Sequence, residues 1–428
     1  MDSLALSGLI LLCFPLLPFI SAATTINLGS SLSSTSSNSS WLSPSEDFAF
    51  GFRQLNNNSD LFLLSIWFNK IPERTIVWHA NGDNPAPRGS TLELTATGLL
   101  LKDPGGKTIW DGKPDKKVSD AAMLDTGNFV LRASGNNSDY AWQSFKNPTD
   151  TILPTQILDL DSVLISRLTE TNFSKGSFEL RFSNGSLKLI SVAWPSRFQY
   201  KIYYTSNTGS ANSTGSGHQL VFNESADIYI VKDNGQIVQL PQWAKLSPRV
   251  DHYFRATLDF DGVLAEYAHP KNSSTNQSWF PTRTLPDDMC RRLFNDIGSG
   301  TCGFNSYCLL QNGRPFCDCP PGYVLVDPNN RFRGCKPNFW QGCGPDDGSR
   351  NAQKLYEIRE FNNVDWPFGD YERLEPYNQT ECEISCLHDC LCAVAIYDGN
   401  RCWKKKLPLS NGWLRDTGFS KVLFKVRK

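Results

Sequence analysis

Short apolar runs alternate with polar turns between residue 24 and about residue 283. Asp47–Phe52 and Leu61–Phe68 are two such runs, and Asn81–Pro85 and Asp103–Gly106 are two of the turns, rich in Gly, Asn, Asp and Pro. Short runs separated by turns of this composition predict an all-β sandwich, barrel or prism. Long stretches of helical periodicity are absent, which argues against an α/β enzyme core.

A short motif recurs in both halves of this region. Each copy has a small or polar residue, a glycine that can adopt the positive φ of a tight turn, and a mostly apolar run that predicts the next strand. The copies begin at Thr97, Thr126, Asn184, Asn234 and Asp261. Because they lie on both sides of residue 155, they predict two related β units, residues 24–153 and 154–283.

Residues 1–23 predict a secretory signal peptide. They are apolar from Leu4 to Ile20 and end in small residues just before Thr24. A transmembrane anchor is the alternative, and it is disfavoured because the run is short and contains Pro15 and Pro18. No later run is long enough to span a bilayer, so the mature chain is predicted to be secreted and extracellular.

The cysteines mark a boundary in the chain. Of 13 Cys, Cys13 belongs to the predicted signal and the others lie between Cys290 and Cys402. An even set of cysteines in a secreted chain predicts disulfides in small C-terminal modules, whereas the part before Cys290 must be held by its own core. A zinc site is the alternative for the last clustered cysteines, and the oxidising secretory route disfavours it.

Asn-X-Ser/Thr sequences predict N-glycosylation on solvent-facing loops, although a chain this rich in Ser, Thr and Asn contains several by chance. They begin at Asn38, Asn57, Asn136, Asn172, Asn184, Asn212, Asn223, Asn272, Asn276 and Asn378.

Charge and motif content exclude several classes of function. Lys and Arg total 42 against 43 Asp and Glu, so the chain lacks the basic surface that nucleic acid requires. No kinase, serine-hydrolase or zinc-protease motif is present. Gly298–Gly303 matches Gly-x-Gly-x-x-Gly, but it follows no predicted strand and contains Cys302, so we interpret it as a chance match. We predict no enzyme activity and no cofactor.

Three longer segments resemble a known family. Leu42–Phe52, Thr75–Pro85 and Trp142–Pro154 are similar, in sequence and in order, to bulb-type mannose-specific lectins. More narrowly, they resemble the ectodomains of plant G-type lectin S-receptor-like serine/threonine kinases. The resemblance implies bulb-lectin β-prism units, two in tandem, each with three short sheets around one apolar core. It does not extend to the transmembrane and kinase parts of such a receptor.

Bulb lectins hold mannose with a Gln-x-Asp-x-Asn-x-Val-x-Tyr motif. When this chain is aligned on its turn glycines, three slots correspond to the motif and none retains the full set. The resemblance implies that Asn128 and Val130 in one slot, and Asp261 and Tyr267 in another, would contact a sugar. Loss of the planar hydrogen-bonding side chains argues against an intact mannose site.

The cysteine-rich part resembles two small module types. Residues 286–336 are similar to an EGF-like module and residues 343–425 to a PAN/apple module. Cysteine spacing alone leaves the connectivity open, whereas the resemblance implies the pairs Cys290–Cys308, Cys302–Cys317, Cys319–Cys335, Cys382–Cys402, Cys386–Cys392 and Cys343–Cys390. The Asp287-Asp288 pair lacks the full calcium-binding pattern of EGF-like modules, so no metal is predicted. A helix is predicted over residues 380–392, capped by Thr380.

These features together predict a secreted plant glycoprotein of the apoplast that binds a glycan or another ligand. One alternative is a protein-interaction module or decoy that pairs with membrane receptor-like kinases. A homodimer through the PAN-like end is a further hypothesis. Another alternative is a truncated receptor-kinase fragment. We predict neither nucleic-acid binding nor a membrane span.

Overall fold

The computed structural model describes residues 24–36, 39–193, 195–209, 215–240, 251–271, 277–294, 296–343, 352–415 and 420–428. The predicted signal peptide and the sequons at Asn38, Asn212, Asn272 and Asn276 lie outside these residues. The sequon asparagines Asn57, Asn172, Asn184 and Asn378 are exposed, and Asn223 is half-buried. No helix in the described ranges is both long and apolar enough to cross a membrane.

Three antiparallel sheets form the first β unit. Their orders are β1-β11-β12-β13, β10-β9-β8-β2 and β3-β4-β5-β6, with β7 paired to β5. The strands are β1 (Ile26–Asn27), β2 (Ser31–Ser33), β3 (Ser40–Leu42), β4 (Phe48–Leu55), β5 (Asn58–Phe68), β6 (Ile76–His79), β7 (Ala86–Pro87), β8 (Thr91–Thr95), β9 (Gly98–Lys102), β10 (Thr108–Asp111), β11 (Val118–Met123), β12 (Phe129–Ala133) and β13 (Asn136–Gln143).

One apolar core fills the space between these sheets. Phe50 of β4 stacks on Phe129 of β12 with ring centroids 3.9 Å apart, and Trp41 of β3 stacks on both rings. The three side chains come from two sheets, so their packing joins the sheets directly. Gly127 precedes β12 with φ 85°, and a Cβ there would lie 2.4 Å from the side chain of Leu153, so this turn requires glycine.

The second β unit repeats the three-sheet arrangement. The orders are β14-β23-β24-β25, β15-β20-β21-β22 and β16-β17-β18-β19, around a second apolar core. The strands are β14 (Thr151–Ile152), β15 (Ile157–Asp159), β16 (Ser162–Arg167), β17 (Lys175–Ser183), β18 (Ser186–Val192), β19 (Gln199–Thr205), β20 (Gly217–Phe222), β21 (Ile228–Lys232), β22 (Ile237–Gln239), β23 (His252–Leu258), β24 (Leu264–Pro270) and β25 (Phe280–Leu285). Two three-sheet units in tandem confirm the mostly β, prism-type fold class.

Side chains of the second β unit also pack against the core of the first. The ring centroids of Tyr253 and Trp279 lie 5.2 Å and 5.1 Å from that of Phe68. The Tyr253 hydroxyl donates to Asp47 at 2.7 Å, and the Trp279 indole N–H donates to Thr75 at 2.8 Å. The two units therefore share an interface that combines aromatic packing with hydrogen bonds.

The remaining chain forms the three-disulfide segment (residues 286–336) and the C-terminal unit (β30 to β36 with α2 and α3). Tyr307 and Tyr323 of the segment and Trp366 and Phe424 of the C-terminal unit belong to one core. The sheets are β27-β26-β35-β31, β28-β29 and β30-β36-β33-β34-β32. The elements are α1 (Met289–Arg292), β26 (Tyr307–Gln311), β27 (Arg314–Asp318), β28 (Tyr323–Leu325), β29 (Cys335–Pro337), α2 (Ala352–Leu355), β30 (Tyr356–Asn362), β31 (Val364–Asp365), β32 (Asp370–Leu374), α3 (Gln379–Leu387), β33 (Val394–Asp398), β34 (Arg401–Lys405), β35 (Gly412–Leu414) and β36 (Lys421–Arg427).

Six disulfides hold this part together, and they join the pairs that the resemblance implies: Cys290–Cys308, Cys302–Cys317, Cys319–Cys335, Cys343–Cys390, Cys382–Cys402 and Cys386–Cys392. Helix α3 ends at Leu387, earlier than expected from the sequence, and its cap is Asn378 instead of Thr380. The Asn378 side chain accepts from the Glu381 N–H, and the Glu381 side chain accepts from the Asn378 N–H, which completes a capping box.

We expect Phe50→Ala to destabilise the first β unit by about 3–5 kcal/mol, because a fully buried ring is lost from a stack that joins two sheets. Urea unfolding followed by tryptophan fluorescence measures the change. The matched control is Leu28→Ala, since Leu28 is 44% exposed in the same unit. Equal effects of the two substitutions would contradict this account of the core.

Candidate functional site

Asn128 and Val130 lie inside the first β unit. The Asn128 amide donates to Gln143 Oε1 at 2.9 Å, and its carbonyl oxygen accepts from the Ser144 hydroxyl and the Phe145 N–H, both at 3.1 Å. Val130 on β12 is fully buried. The hydrogen-bonding groups of Asn128 are therefore engaged in joining β12 to the 3₁₀ turn that follows β13.

Asp261 and Tyr267 lie together in the second β unit, and a side chain from elsewhere in the chain covers them. Arg314 of β27 makes two contacts with Asp261, Nε to Oδ2 at 2.8 Å and Nη2 to Oδ1 at 2.6 Å. Its Nη2 also lies 2.9 Å from Oδ2 of Asp259, which accepts from the Tyr267 hydroxyl at 2.6 Å. The three-disulfide segment is thus anchored to the turn between β23 and β24.

Burial dominates the electrostatics of this anchor. It raises the pKa of the Asp261 carboxyl to about 6, against the opposing effect of the Arg314 guanidinium and with a further contribution from the neighbouring Asp259. Burial also raises the pKa of the Tyr267 hydroxyl. Tyr203 donates to the Gly262 carbonyl at 2.6 Å, which fixes the turn from the core side.

A cluster of tryptophans in the first β unit lines a depression of about 270 Å³. Trp78, Trp110 and Trp142 pack edge to face, with ring centroids 5.7–6.0 Å apart. Trp78 and Trp142 are almost buried, and Trp110 is half-buried. A Cβ at Gly112 would lie 3.2 Å from the Trp110 ring, so the glycine leaves room for this indole.

Polar groups surround the same depression. Asp111, Lys113, Asn147 and Thr149 line it. The Thr149 hydroxyl is buried without a hydrogen-bond partner among the described residues, and the Asn147 carbonyl accepts the Trp78 indole N–H at 2.7 Å. Aromatic faces with a carboxylate, an ammonium, an amide and a hydroxyl can bind a small polar molecule that also has an apolar face.

These tryptophans belong to none of the motifs identified in the sequence, although their spacing carries a signal. Trp78, Trp110 and Trp142 lie at equal intervals along the chain, as side chains at equivalent places in a threefold repeat do. No group of three or more His, Cys, Asp or Glu suited to a metal ion occurs in the described parts of the chain.

Comparison with known proteins finds a lectin family match in the part of the chain that contains the tryptophan cluster. The family model described as D-mannose binding lectin matches residues 75–175, a range that contains all three tryptophans. A Marasmius oreades lectin aligns with 32% of this chain and 91% of its own, at 15% identity and a TM-score of 0.23. Scilla campanulata agglutinin, described as a fetuin-binding two-domain lectin, aligns with 56% of this chain and 88% of its own, at 16% identity and a TM-score of 0.19.

We expect Asp261 to make stability depend on pH. The folded chain holds its proton up to pH about 6, whereas an unperturbed Asp releases it near pH about 3.9. This contribution to the free energy of unfolding is therefore present below pH 4 and lost as the pH rises through 6, by roughly 3 kcal/mol at most. Urea unfolding between pH 4 and 7 should show it in the unsubstituted chain and not in Asp261→Asn.

Asp251→Asn is the control for this titration, because Asp251 is exposed in the same unit. It should keep the pH dependence of the unsubstituted chain. Identical pH profiles for Asp261→Asn and the unsubstituted chain would contradict the assignment.

Relatives of known class match nearly the whole chain. It is 43% identical to the G-type lectin S-receptor-like serine/threonine-protein kinase LECRK4 of Oryza sativa subsp. indica over 98% of the chain and 53% of that protein. It is 40% identical to RLK1 of Arabidopsis thaliana over 94% of the chain and 50% of that protein. The chain thus spans about half the length of the curated relatives it matches. It is a lectin-domain protein related, over nearly its whole length, to the G-type lectin S-receptor-like serine/threonine-protein kinases, as the resemblance predicts.

Proposed function

We propose that this chain is an extracellular glycan-recognition protein and that the tryptophan depression of the first β unit is its sugar site. The observation that carries the proposal is the cluster of Trp78, Trp110 and Trp142 around a depression whose lining includes the buried Thr149 hydroxyl, which has no hydrogen-bond partner among the described residues. The match to a D-mannose binding lectin model over residues 75–175 supports it.

The chemistry of the depression suits a sugar ring. The C–H face of a hexose packs on indole, while its hydroxyls need donors and acceptors at the edge. Asp111 accepts, Lys113 donates, and the Thr149 hydroxyl does both. A volume of about 270 Å³ lies just under the range of drug-sized pockets, as expected for one sugar residue.

Sugar contact by Asn128, Val130, Asp261 and Tyr267 stays a prediction. Asn128 accepts from Ser144, Val130 is fully buried, and Asp261 and Tyr267 contact Arg314. For a hexose to use them, it would have to displace these internal partners. The tryptophan depression requires no such displacement, so we favour it.

Extracellular placement rests on the cysteine chemistry. Six disulfides in the part after residue 286 suit an oxidising compartment. We propose secretion to the apoplast with glycans on the exposed sequons, and binding in place of catalysis.

We expect Trp110→Ala to weaken binding to mannose-terminated oligosaccharides at least tenfold, about 1.4 kcal/mol. The reason is that Trp110 offers the most accessible of the three indole faces. Glycan-array binding followed by calorimetry on the enzymatically deglycosylated chain measures it, since the chain's own glycans would compete. Phe198→Ala is the control, because Phe198 is 58% exposed on the second β unit.

Asn128→Ala separates the two candidate sites in the same assay. If a folded Asn128→Ala chain loses binding while Trp110→Ala binds normally, the tryptophan site is overturned. The sugar would then bind at the bulb-lectin motif position that contains Asn128 and Val130. A blank array from the folded, deglycosylated chain would overturn glycan recognition altogether.

A second candidate function is self-association near the C-terminal unit, which exposed apolar side chains favour. Trp340, Ile384 and Leu391 are 59%, 45% and 54% exposed. The Cys343–Cys390 disulfide joins the segment that contains Trp340 to the segment that contains Leu391. The Gln341 side chain also donates to the Cys392 carbonyl at 3.0 Å. Exposed apolar clusters of this kind mark interfaces between proteins.

We expect the chain to dimerise at micromolar concentration and the double substitution Trp340→Ser with Leu391→Ser to abolish the dimer, because the apolar contact area is removed. Sedimentation velocity over a concentration series measures it. Val326→Ser is the control, since Val326 is 44% exposed in the neighbouring three-disulfide segment. A monomer at all concentrations, or a dimer unaffected by the double substitution, would contradict this candidate.

A further inference from the structure

We propose a second ligand site, separate from the tryptophan depression, on the outer face of the sheet β3-β4-β5-β6 in the first β unit. Arg53 of β4 and Arg74 of the loop between β5 and β6 form it, and its ligand is an oxyanion, the carboxylate of an acidic sugar. Neither arginine lines the tryptophan depression. The choice of a sugar as the carrier rests on the proposed glycan recognition, whereas the choice of an oxyanion does not.

The register of the sheet places these side chains on the face that points away from the aromatic core. Leu64 of β5 belongs to that core, so Leu63, Ser65 and Trp67 point outward, because side chains alternate along a strand. Arg53 of β4 lies opposite Leu63 and therefore shares their face. Its guanidinium carbon lies 5.5 Å from the centroid of the Trp67 ring. The cation and the indole are thus neighbours on the outer face.

Three polar atoms on this face are buried and have no hydrogen-bond partner among the described residues. They are Nε of Arg53, Nε1 of Trp67 and Oγ of Ser65. Trp67 is 3% exposed and Ser65 is fully buried, whereas Arg53 is half-buried. A buried donor without an acceptor is costly, and more so when it is charged, unless water or a ligand bonds to it. The Arg53 guanidinium therefore indicates an acceptor on this face.

Arg74 adds a second positive charge close to the first. Burial lowers the pKa of the Arg53 guanidinium, and the charge of Arg74 lowers it further. No ion pair within the described ranges involves either arginine, and Glu73, next to Arg74 in the chain, pairs with neither. Two like charges without a counter-charge raise the free energy of the unliganded chain, and an anion beside both lowers it.

The backbone holds Arg74 in an uncommon conformation. Its φ is 48°, in the left-handed region that residues other than glycine seldom adopt. Two hydrogen bonds hold the loop, from the Arg74 N–H to the Ile71 carbonyl at 2.9 Å and from the Phe68 N–H to the Thr75 carbonyl at 3.1 Å. Backbone strain of this kind clusters at ligand-binding positions. Arg74 is exposed, so a ligand can reach its side chain from solvent.

The chemistry of the face selects the ligand class. Arg53, Arg74, Ser65 and Trp67 can all donate hydrogen bonds, and none of them is anionic. A guanidinium donates two parallel hydrogen bonds to one carboxylate, sulfate or phosphate, whereas it repels a cation and gains less from a neutral hydroxyl. A sugar is the expected carrier because the lectin family match begins in the same β unit, at residue 75.

Three probes test the proposal on the full, enzymatically deglycosylated chain: trigalacturonic acid, its uncharged methyl ester and sodium sulfate. Calorimetry should show trigalacturonate binding at least tenfold tighter than the ester, with an affinity that falls as salt is added. Arg53→Gln and Arg74→Gln should each weaken trigalacturonate at least tenfold. Arg88→Gln is the matched control, because Arg88 also lies over an aromatic ring of the first β unit, 5.8 Å from the Phe62 centroid, but pairs with Asp60.

The stability of the unliganded chain gives a second readout. Arg53→Gln should raise the urea midpoint, because it removes a half-buried cation that faces another cation. An arginine that only supports the fold would lower the midpoint when replaced. A lower midpoint together with unchanged trigalacturonate binding would assign Arg53 a structural role and overturn the site.

The remaining outcomes separate the two possible sources of the oxyanion and the two proposed sites. The site is overturned if neither trigalacturonate nor sulfate binds the folded chain at millimolar concentration. Sulfate binding without trigalacturonate binding would overturn the acidic sugar and leave a site for a free inorganic ion. Trigalacturonate binding that is lost in Arg53→Gln, with no binding of mannose-terminated glycans, would support this site and overturn the tryptophan site.

Discussion

The partly buried contact of Arg314 with Asp259 and Asp261 is the interaction on which the arrangement of the C-terminal half depends. Burying a carboxylate and a guanidinium costs several kcal/mol of hydration, so such a contact is kept only when its geometry satisfies most of the donors and acceptors. Here the guanidinium meets Asp261 with two hydrogen bonds and also reaches Asp259. The planar guanidinium fork matches the geometry of a carboxylate, so this contact holds the three-disulfide segment against the second β unit.

The two β units and the modules after residue 286 are stabilised by different means because they differ in size. Each β unit closes three sheets around a core large enough to need no disulfide, as the stack of Phe50 on Phe129 illustrates. The small modules after residue 286 bury less surface per residue and add six disulfides. These modules also share one apolar core, in which Tyr307 packs with Trp366 and Phe424 across the boundary between them.

The strand pattern and the cysteine chemistry made the fold predictable from the sequence. The candidate sites could be identified only from the three-dimensional structure. The positive φ of Gly127 and Gly262 follows from local sequence, so the turns could be found from it. The engagement of Asn128 with Ser144 and of Asp261 with Arg314 joins residues far apart in the sequence, and no local pattern encodes it. Helix α3 shows the same limit on a small scale: Thr380 and Asn378 are both good caps, and the capping box with Glu381 decided between them.

The proposed glycan site and the Arg314 anchor are separated by paired charges. Arg167 binds Asp150 at 3.1 Å and lies over the Phe173 ring, which packs edge to face on His79 at the tryptophan depression. The positive charge of Arg167 also faces Asp259, the partner of Arg314. Contact alone does not couple two sites, because a ligand shifts a second site only if it changes an interaction that both sites share. Neither Arg167 nor Asp150 lines the depression, so a ligand bound there is expected to leave the Arg314 anchor unchanged.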